Sequence, residues 1–209
     1  LAALLWAAAR WPLYEIDARY HEYENHMVDC YDAFIARAPR PIERIDIPFE
    51  NSALSGLLHL PRTPAPGEKF PCVINIGGMD GCKENVVSMY GDPWLERGIA
   101  VLAMDGPGQG VCPSRGVFVT ADNHGPAAVA TLDWLEKHGA IDAGRIALRA
   151  TSFGTNFSIH AAAALGNRVT GLAQAFALHE PGCFSIFNAA SPTFRMRFML
   201  MSNVTDDDA

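Results

Sequence analysis

From residue 71 onward the chain alternates short apolar runs with helical stretches, and few architectures accept that pattern. Residues 71–76 and 99–104 are continuous apolar runs, suited to strands buried on both faces. Residues 145–149 and 169–178 read as two further strands, and helical stretches occupy 83–97, 126–138 and 156–165 between them. This order predicts a doubly wound α/β domain with a mostly parallel sheet and right-handed crossovers. Ahead of it, Ile45, Ile47 and Phe49 alternate with Arg44, Asp46 and Pro48; a turn at Asn51-Ser52 then leads into the apolar run 54–60. Those two runs predict a hairpin at the antiparallel edge of the sheet.

The sharpest junction is Ala150-Thr151-Ser152-Phe153-Gly154. A strand run leads into it and an alanine-rich helical run leaves it. Ser152 therefore sits at a tight strand-to-helix turn that lifts its hydroxyl off the end of the sheet, the geometry of a nucleophile elbow. The turn crowds the positions two before and two after the serine, so both must be small. Ala150 and Gly154 satisfy this, with alanine standing where the usual pattern has glycine. A serine in an ordinary helix N-cap turn is the competing reading of the same string.

Two glycine-rich loops follow earlier strands. Gly77-Gly78-Met79 closes the first parallel strand, where a backbone N–H can face a carbonyl attacked by Ser152. Glycines let the backbone approach a substrate. Met79, with Gly78 beside it, and Phe153 after the nucleophile are the expected oxyanion donors. Gly106-Pro107-Gly108-Gln109-Gly110 does not match a dinucleotide loop. Pro107 removes an N–H, and the spacing is not G-x-G-x-x-G. It reads as a tight loop beside the ligand crevice.

Residues 13–37 read as an amphipathic helix carrying Tyr20, Tyr23, Met27, Tyr31 and Phe34 on one stripe. His21 and His26 within it are five residues apart, about 140° past a common face, so no metal site is expected. The formal charge of −7 over 209 residues, without a basic stripe, excludes a nucleic-acid binder. The apolar stretch 1–9 is too short to span a bilayer and lacks the basic flank of a signal peptide, so no membrane partner is expected. Five scattered cysteines without a C-x-x-C fit reduced thiols in a cytoplasmic protein. No cofactor is expected.

Residues 71–80 with Lys83-Glu84, then Met104 through Gly110, then Thr151 through Gly154 together resemble an α/β-hydrolase group. That group includes dihydropseudooxynicotine hydrolase and fungal hydrolases that shorten polyketide pigment precursors. The resemblance covers roughly residues 10–200. It implies the α/β-hydrolase fold, a Ser–Asp–His triad and a helical cap, with members cleaving esters or carbon–carbon bonds. Residues 1–40 are then an N-terminal helical cap segment and 41–209 the hydrolase domain, with 181–209 beginning a lid.

After Ser152 two histidines remain. His160 lies about 12 Å along the elbow helix, away from the nucleophile. His179 closes the strand after that helix, and Glu180 stands beside it; both are candidate substrate contacts. The acid and histidine of the triad are expected outside residues 1–209, from a complementing C-terminal segment or a homo-oligomer, the chain being a fragment or a trimmed product. Three functions follow. One is a serine hydrolase with Ser152 as nucleophile, a carboxylic ester being the default substrate. The second is a carbon–carbon bond hydrolase on a ketone or diketone. The third is a non-catalytic binding protein of hydrolase fold. The tyrosine stripe and the Phe/Met run at 184–201 predict a small apolar or aromatic carbonyl substrate.

Overall fold

The computed structural model describes residues 1–79, 81–90, 92–177 and 184–205. Two helices, α1 (Ala2–Arg10) and α2 (Ala18–Ile35), precede the hairpin β1 (Ile42–Phe49) and β2 (Ser52–His59). Then come β3 (Phe70–Ile76), α3 (Lys83–Tyr90), β4 (Ala100–Asp105), α4 (His124–Glu136), β5 (Ile141–Thr151), α5 (Gly154–Leu165) and β6 (Leu172–Ala175). Helices α6 (Phe184–Ala189) and α7 (Pro192–Ser202) end the described chain.

The six strands form one sheet in the order β1-β2-β4-β3-β5-β6. The hairpin is antiparallel and joins β4 antiparallel, while β4, β3, β5 and β6 run parallel. The expected doubly wound sheet with an antiparallel edge is the one observed. From β3 the chain steps to β4 on one side and then crosses to β5 on the other. The strand order therefore reverses at β3, and ligands bind outside the carboxyl ends of strands at such a reversal. Gly77-Gly78, Gly106 and Ser152 all follow strands at that end.

Period-two alternation divides the core. Leu54, Leu58, Ile74, Leu102 and Leu148 pack with Leu132 and Leu135 of α4 and with Ala161 and Leu165 of α5. On the opposite face Leu57, Val101 and Ala103 pack with Met27 and Tyr31 of α2 and Val86 of α3. Each fully buried aliphatic side chain contributes about 1.5–3 kcal/mol relative to exposure, so both faces need their helices.

Several boundaries differ from the sequence reading. The second helix begins at Ala18, because Asp17 caps it by accepting the Tyr20 N–H at 2.8 Å. The apolar stretch 1–9 forms a helix of its own. The helix after the first glycine loop stops at Tyr90 instead of near residue 97. Pro93 has no N–H to continue it, and a separate 3₁₀ turn at Leu95–Arg97 is closed by Gly98 at φ 75°. Of the stripe, Tyr20, Met27 and Tyr31 are buried, but Phe34 is 48% exposed; it lies in the last turn of α2, edge-on to Tyr31. The last strand is shorter than read, and its residues 172, 173 and 175 are exposed. Among the described residues β6 pairs only with β5.

A buried pair ties α1 to α2. Arg10 donates to Glu24 at 2.5 Å, and Ser114 donates to the other carboxylate oxygen, also at 2.5 Å. Neither residue was singled out from the sequence, since the partners are 14 and 90 positions apart.

Candidate active site

Ser152 adopts φ 54°, in the left-handed region that a non-glycine residue rarely occupies. Holding it there costs on the order of 1–3 kcal/mol, which its surroundings must offset. They do so from both sides. The Ser152 N–H donates to the Ala175 carbonyl in β6 at 3.0 Å. Its carbonyl accepts from the Thr155 N–H at 2.9 Å and the Thr155 hydroxyl at 2.7 Å. The side chain stays exposed at the strand end.

The flanking small residues differ in what they tolerate. A Cβ on Gly154 would lie 2.1 Å from the Gly77 carbonyl oxygen and 2.8 Å from that of Ile76, so only glycine fits. Ala150 is fully buried in β5, in register with Ile76 and Gln174, and its methyl group is accommodated. The elbow forms with alanine at that position.

The loop after β3 lies against the serine. A Cβ on Gly78 would come within 3.2 Å of Ser152 Cβ and 3.6 Å of its Oγ. Gly78 and Ser152 are therefore in direct apposition. Met79 is buried with Phe157 and Met201, and Phe153, Phe194 and Phe198 pack around that group. The rings of Phe153 and Phe198 stand 4.7 Å apart, edge to face. Helix α7 is fastened over the site by the Val119 N–H, which donates to the Met201 carbonyl at 2.8 Å. Thus the Phe/Met run reaches the elbow. Met27 and Tyr31 of the tyrosine stripe pack on the sheet instead, and Tyr20 packs beside Leu13 and Leu200.

Beneath the loop lies a buried charge cluster. Lys83 Nζ meets Asp105 at 2.7 Å and Glu84 at 3.0 Å, with all three side chains inaccessible. Asp105 also accepts the backbone N–H of Lys83 at 2.7 Å and of Val111 at 3.1 Å. Burial alone would push the Lys83 ammonium down; its two carboxylate neighbours outweigh this and hold it well above its ordinary value. Burial would likewise raise Glu84, but Lys83 outweighs it and keeps that carboxyl below its ordinary value. Gln109 spans the two glycine loops, its Nε2 donating to the carbonyls of Gly77 and Gly78.

Sequence reasoning brought Gly78, Met79, Ser152 and Phe153 together, and the structure places them together. It missed Gln109 and the Lys83–Asp105 pair. A signal existed for Gln109: a buriable amide among glycines has only backbone groups to satisfy it. His160 is exposed on α5, as expected of a residue leading away from the elbow. His179 and Glu180 lie outside the described residues. His21, His26, His59, His124 and His138 lie on α2, β2, α4 and the segment after α4, and none of the described histidines hydrogen-bonds to Ser152. Among the described residues no group of three His, Cys, Asp or Glu side chains could hold a metal. No described helix is long and apolar enough to cross a membrane, and Cys30, Cys72, Cys82 and Cys112 are free thiols.

A parallel sheet reversing at β3, with an elbow serine after β5 facing a glycine loop after β3, defines the α/β-hydrolase fold. Within that class the chain belongs to the esterase FrsA-like family, whose model matches residues 1–201. The α/β hydrolase xenA of Xenoacremonium sinensis is 30% identical over 155 residues, covering 70% of this chain and 36% of that protein. The hydrolyase ccsE of Aspergillus clavatus is 31% identical over the same length and shares. The solved 2,6-dihydroxy-pseudo-oxynicotine hydrolase superposes with a TM-score of 0.82 at 23% identity, over 97% of this chain and 54% of that one. The chain spans about a third of the length of those curated relatives. The family resemblance read from the three motifs is borne out.

Proposed function

We propose that this chain carries the nucleophile and oxyanion hole of a serine hydrolase acting on a carbonyl substrate, by default a carboxylic ester. The observation that carries this reading is Ser152 held at φ 54° between β5 and α5, with Gly78 against its side chain. Ser152 Oγ attacks the carbonyl carbon. The N–H groups of Met79 and Phe153, with Gly78 shaping the approach, receive the developing negative oxygen. The first N–H groups of a helix have no intrahelical acceptor, which leaves the start of α5 suited to that task. One such donor is commonly worth about 10²–10³ in rate. A serine hydroxyl is a weak nucleophile until a base takes its proton; we assign that base to a histidine outside the described residues. A protein that only binds has no need of a serine kept at positive φ.

The group of Met79, Phe153, Phe194 and Phe198 beside the serine supports an apolar, aromatic or acyl substrate. The test is labelling with a fluorophosphonate probe in the protein that carries this chain, with and without Ser152→Ala. The wild type should label and the variant should not; equal labelling of both overturns the reading. Aryl esters and 1,3-diketones assayed side by side separate ester from carbon–carbon cleavage, and ester turnover is the expected result.

A further inference from the structure

We infer that Gln109 is a positioning residue for the oxyanion hole: by binding the carbonyls of Gly77 and Gly78 it aims the N–H groups of Gly78 and Met79. This rests on the serine-hydrolase reading above and adds a residue to it.

The argument begins with the amide. Gln109 is 1% exposed. Its Nε2 lies 2.8 Å from the Gly77 carbonyl oxygen and 2.6 Å from that of Gly78. Its Oε1 accepts the Gly106 N–H at 3.2 Å. A primary amide has two N–H donors and one carbonyl acceptor, so every polar atom of the side chain is used. The reverse orientation would set Oε1 against two carbonyl oxygens, and the network therefore fixes which end points where.

Peptide geometry carries the consequence. Each trans peptide unit is planar, and its C=O and N–H point in opposite directions. The Gly77 carbonyl shares a plane with the Gly78 N–H, and the Gly78 carbonyl shares one with the Met79 N–H. Pinning both carbonyls to Gln109 turns both N–H groups to the other side. Two consecutive glycines populate far more of φ/ψ space than other residues; beside Gln109, the Gly78 carbonyl accepts the Gly81 N–H at 3.2 Å, a turn bond that alone does not fix the Gly77 plane. A side chain that clamps both planes removes that freedom where an oxyanion donor must be fixed before the reaction begins.

The clamp itself stands on a rigid base. The Gln109 N–H donates to the Gly106 carbonyl at 2.9 Å, and its own carbonyl accepts the Cys112 N–H at 2.9 Å. Asp105, just before this loop, is locked to Lys83, just after the other. A Cβ on Gly110 would fall 2.0 Å from the Asp105 carboxylate, so the loop admits no side chain there. Gln109 is thus held by one anchored loop and holds the other.

The experiment compares wild type with Gln109→Met and Gln109→Glu in the protein that carries this chain. The readouts are kcat and KM on an aryl ester, inhibition by an aryl trifluoromethyl ketone, and thermal unfolding. The ketone forms an oxyanion on the serine and so reports the hole directly. Gln109→Met keeps volume and loses both donors. Its kcat should fall about tenfold to a hundredfold, as misplacement of a reacting geometry does, and inhibition should weaken by a similar factor while KM moves within about twofold. Should Gln109→Met fail to fold, Gln109→Glu decides: below its pKa the acid regains one O–H donor, so its kcat relative to wild type should rise from pH 8 to pH 5. A folded Gln109→Met with wild-type kcat and inhibition, or a flat ratio for Gln109→Glu, overturns the inference. If wild type labels at Ser152 in these cases, the hydrolase reading survives and only the positioning role falls. If wild type does not label, both fall.

Discussion

Gly154 and Ala150 occupy equivalent places on either side of Ser152, yet they carry opposite constraints. Gly154 Cα lies against the Gly77 and Ile76 carbonyls, and backbone cannot step aside as a flexible side chain can. Gly154→Ala should therefore destabilise the fold by about 1–3 kcal/mol or more and abolish Ser152 labelling. Ala150→Gly removes only a buried methyl group and loosens the strand, at a cost of about 0.5–1 kcal/mol, and labelling should persist. Denaturant titration alongside probe labelling checks both; normal labelling by Gly154→Ala would show that the loop after β3 yields. The elbow was legible in the sequence because its requirement is local: a strand, a serine, small neighbours, a helix. Gln109 was legible at most as an amide needing backbone partners; which backbone it binds was not, because those partners lie 31 and 32 positions away and its own loop reads as a turn.

Among the elements, α2 joins the sheet by an apolar stripe and joins α1 by a charge. Arg10 and Glu24 are both buried, and the guanidinium lies 5.1 Å from the Tyr20 ring centroid. Burial raises the Glu24 carboxyl above its ordinary value, with Arg10 and Ser114 opposing. A buried pair of this kind adds little net stability, but removing one partner strands the other. Glu24→Ala should cost about 3–5 kcal/mol, whereas Arg10→Met with Glu24→Leu should be near neutral. Urea unfolding of the two variants tests this; equal losses would mean the pair is favourable in its own right. Element types were readable from pattern, since the alternation in β1, the continuous apolar runs of β2 and β4 and the stripe on α2 follow from which faces are buried. Boundaries were less legible: the periodicity runs past two chemical stops, the Asp17 cap and Pro93, because apolar spacing continues on both sides of each. The role of Glu24 was hidden because a carboxylate at helical spacing reads as a solvated position until its distant partner is known.

At the scale of the whole molecule, both faces of the sheet enclose a neutral histidine. His59 in β2 is held by burial at a pKa of about 4, and His124 at the start of α4 by burial, with His160 adding repulsion, at about 3. His124 stacks on Phe157 at 3.6 Å, and neither ring's buried Nε2 has a hydrogen-bond partner. In the unfolded chain both titrate near 6.5. Their folded values are lower, so the unfolded chain binds the extra protons as pH falls. The stability they contribute is complete above pH 6.5 and is lost as pH drops toward 4. Each unit below 6.5 costs about 1.4 kcal/mol per histidine, roughly 4 kcal/mol for the two by pH 5. Glu24, raised by burial, works the other way, because its protonation on acidification suits the fold. Glu84, held below its ordinary value, adds to the acid loss only once pH falls to the ordinary carboxylate value and beyond. Urea titrations from pH 8 to pH 5 should therefore show stability falling with a slope between one and two protons. Replacing His59 and His124 by asparagine should flatten that slope while lowering the plateau. A wild-type profile that is level across this range would mean that water or a polar partner reaches both rings, and that the sheet is less well covered on each face than its packing indicates.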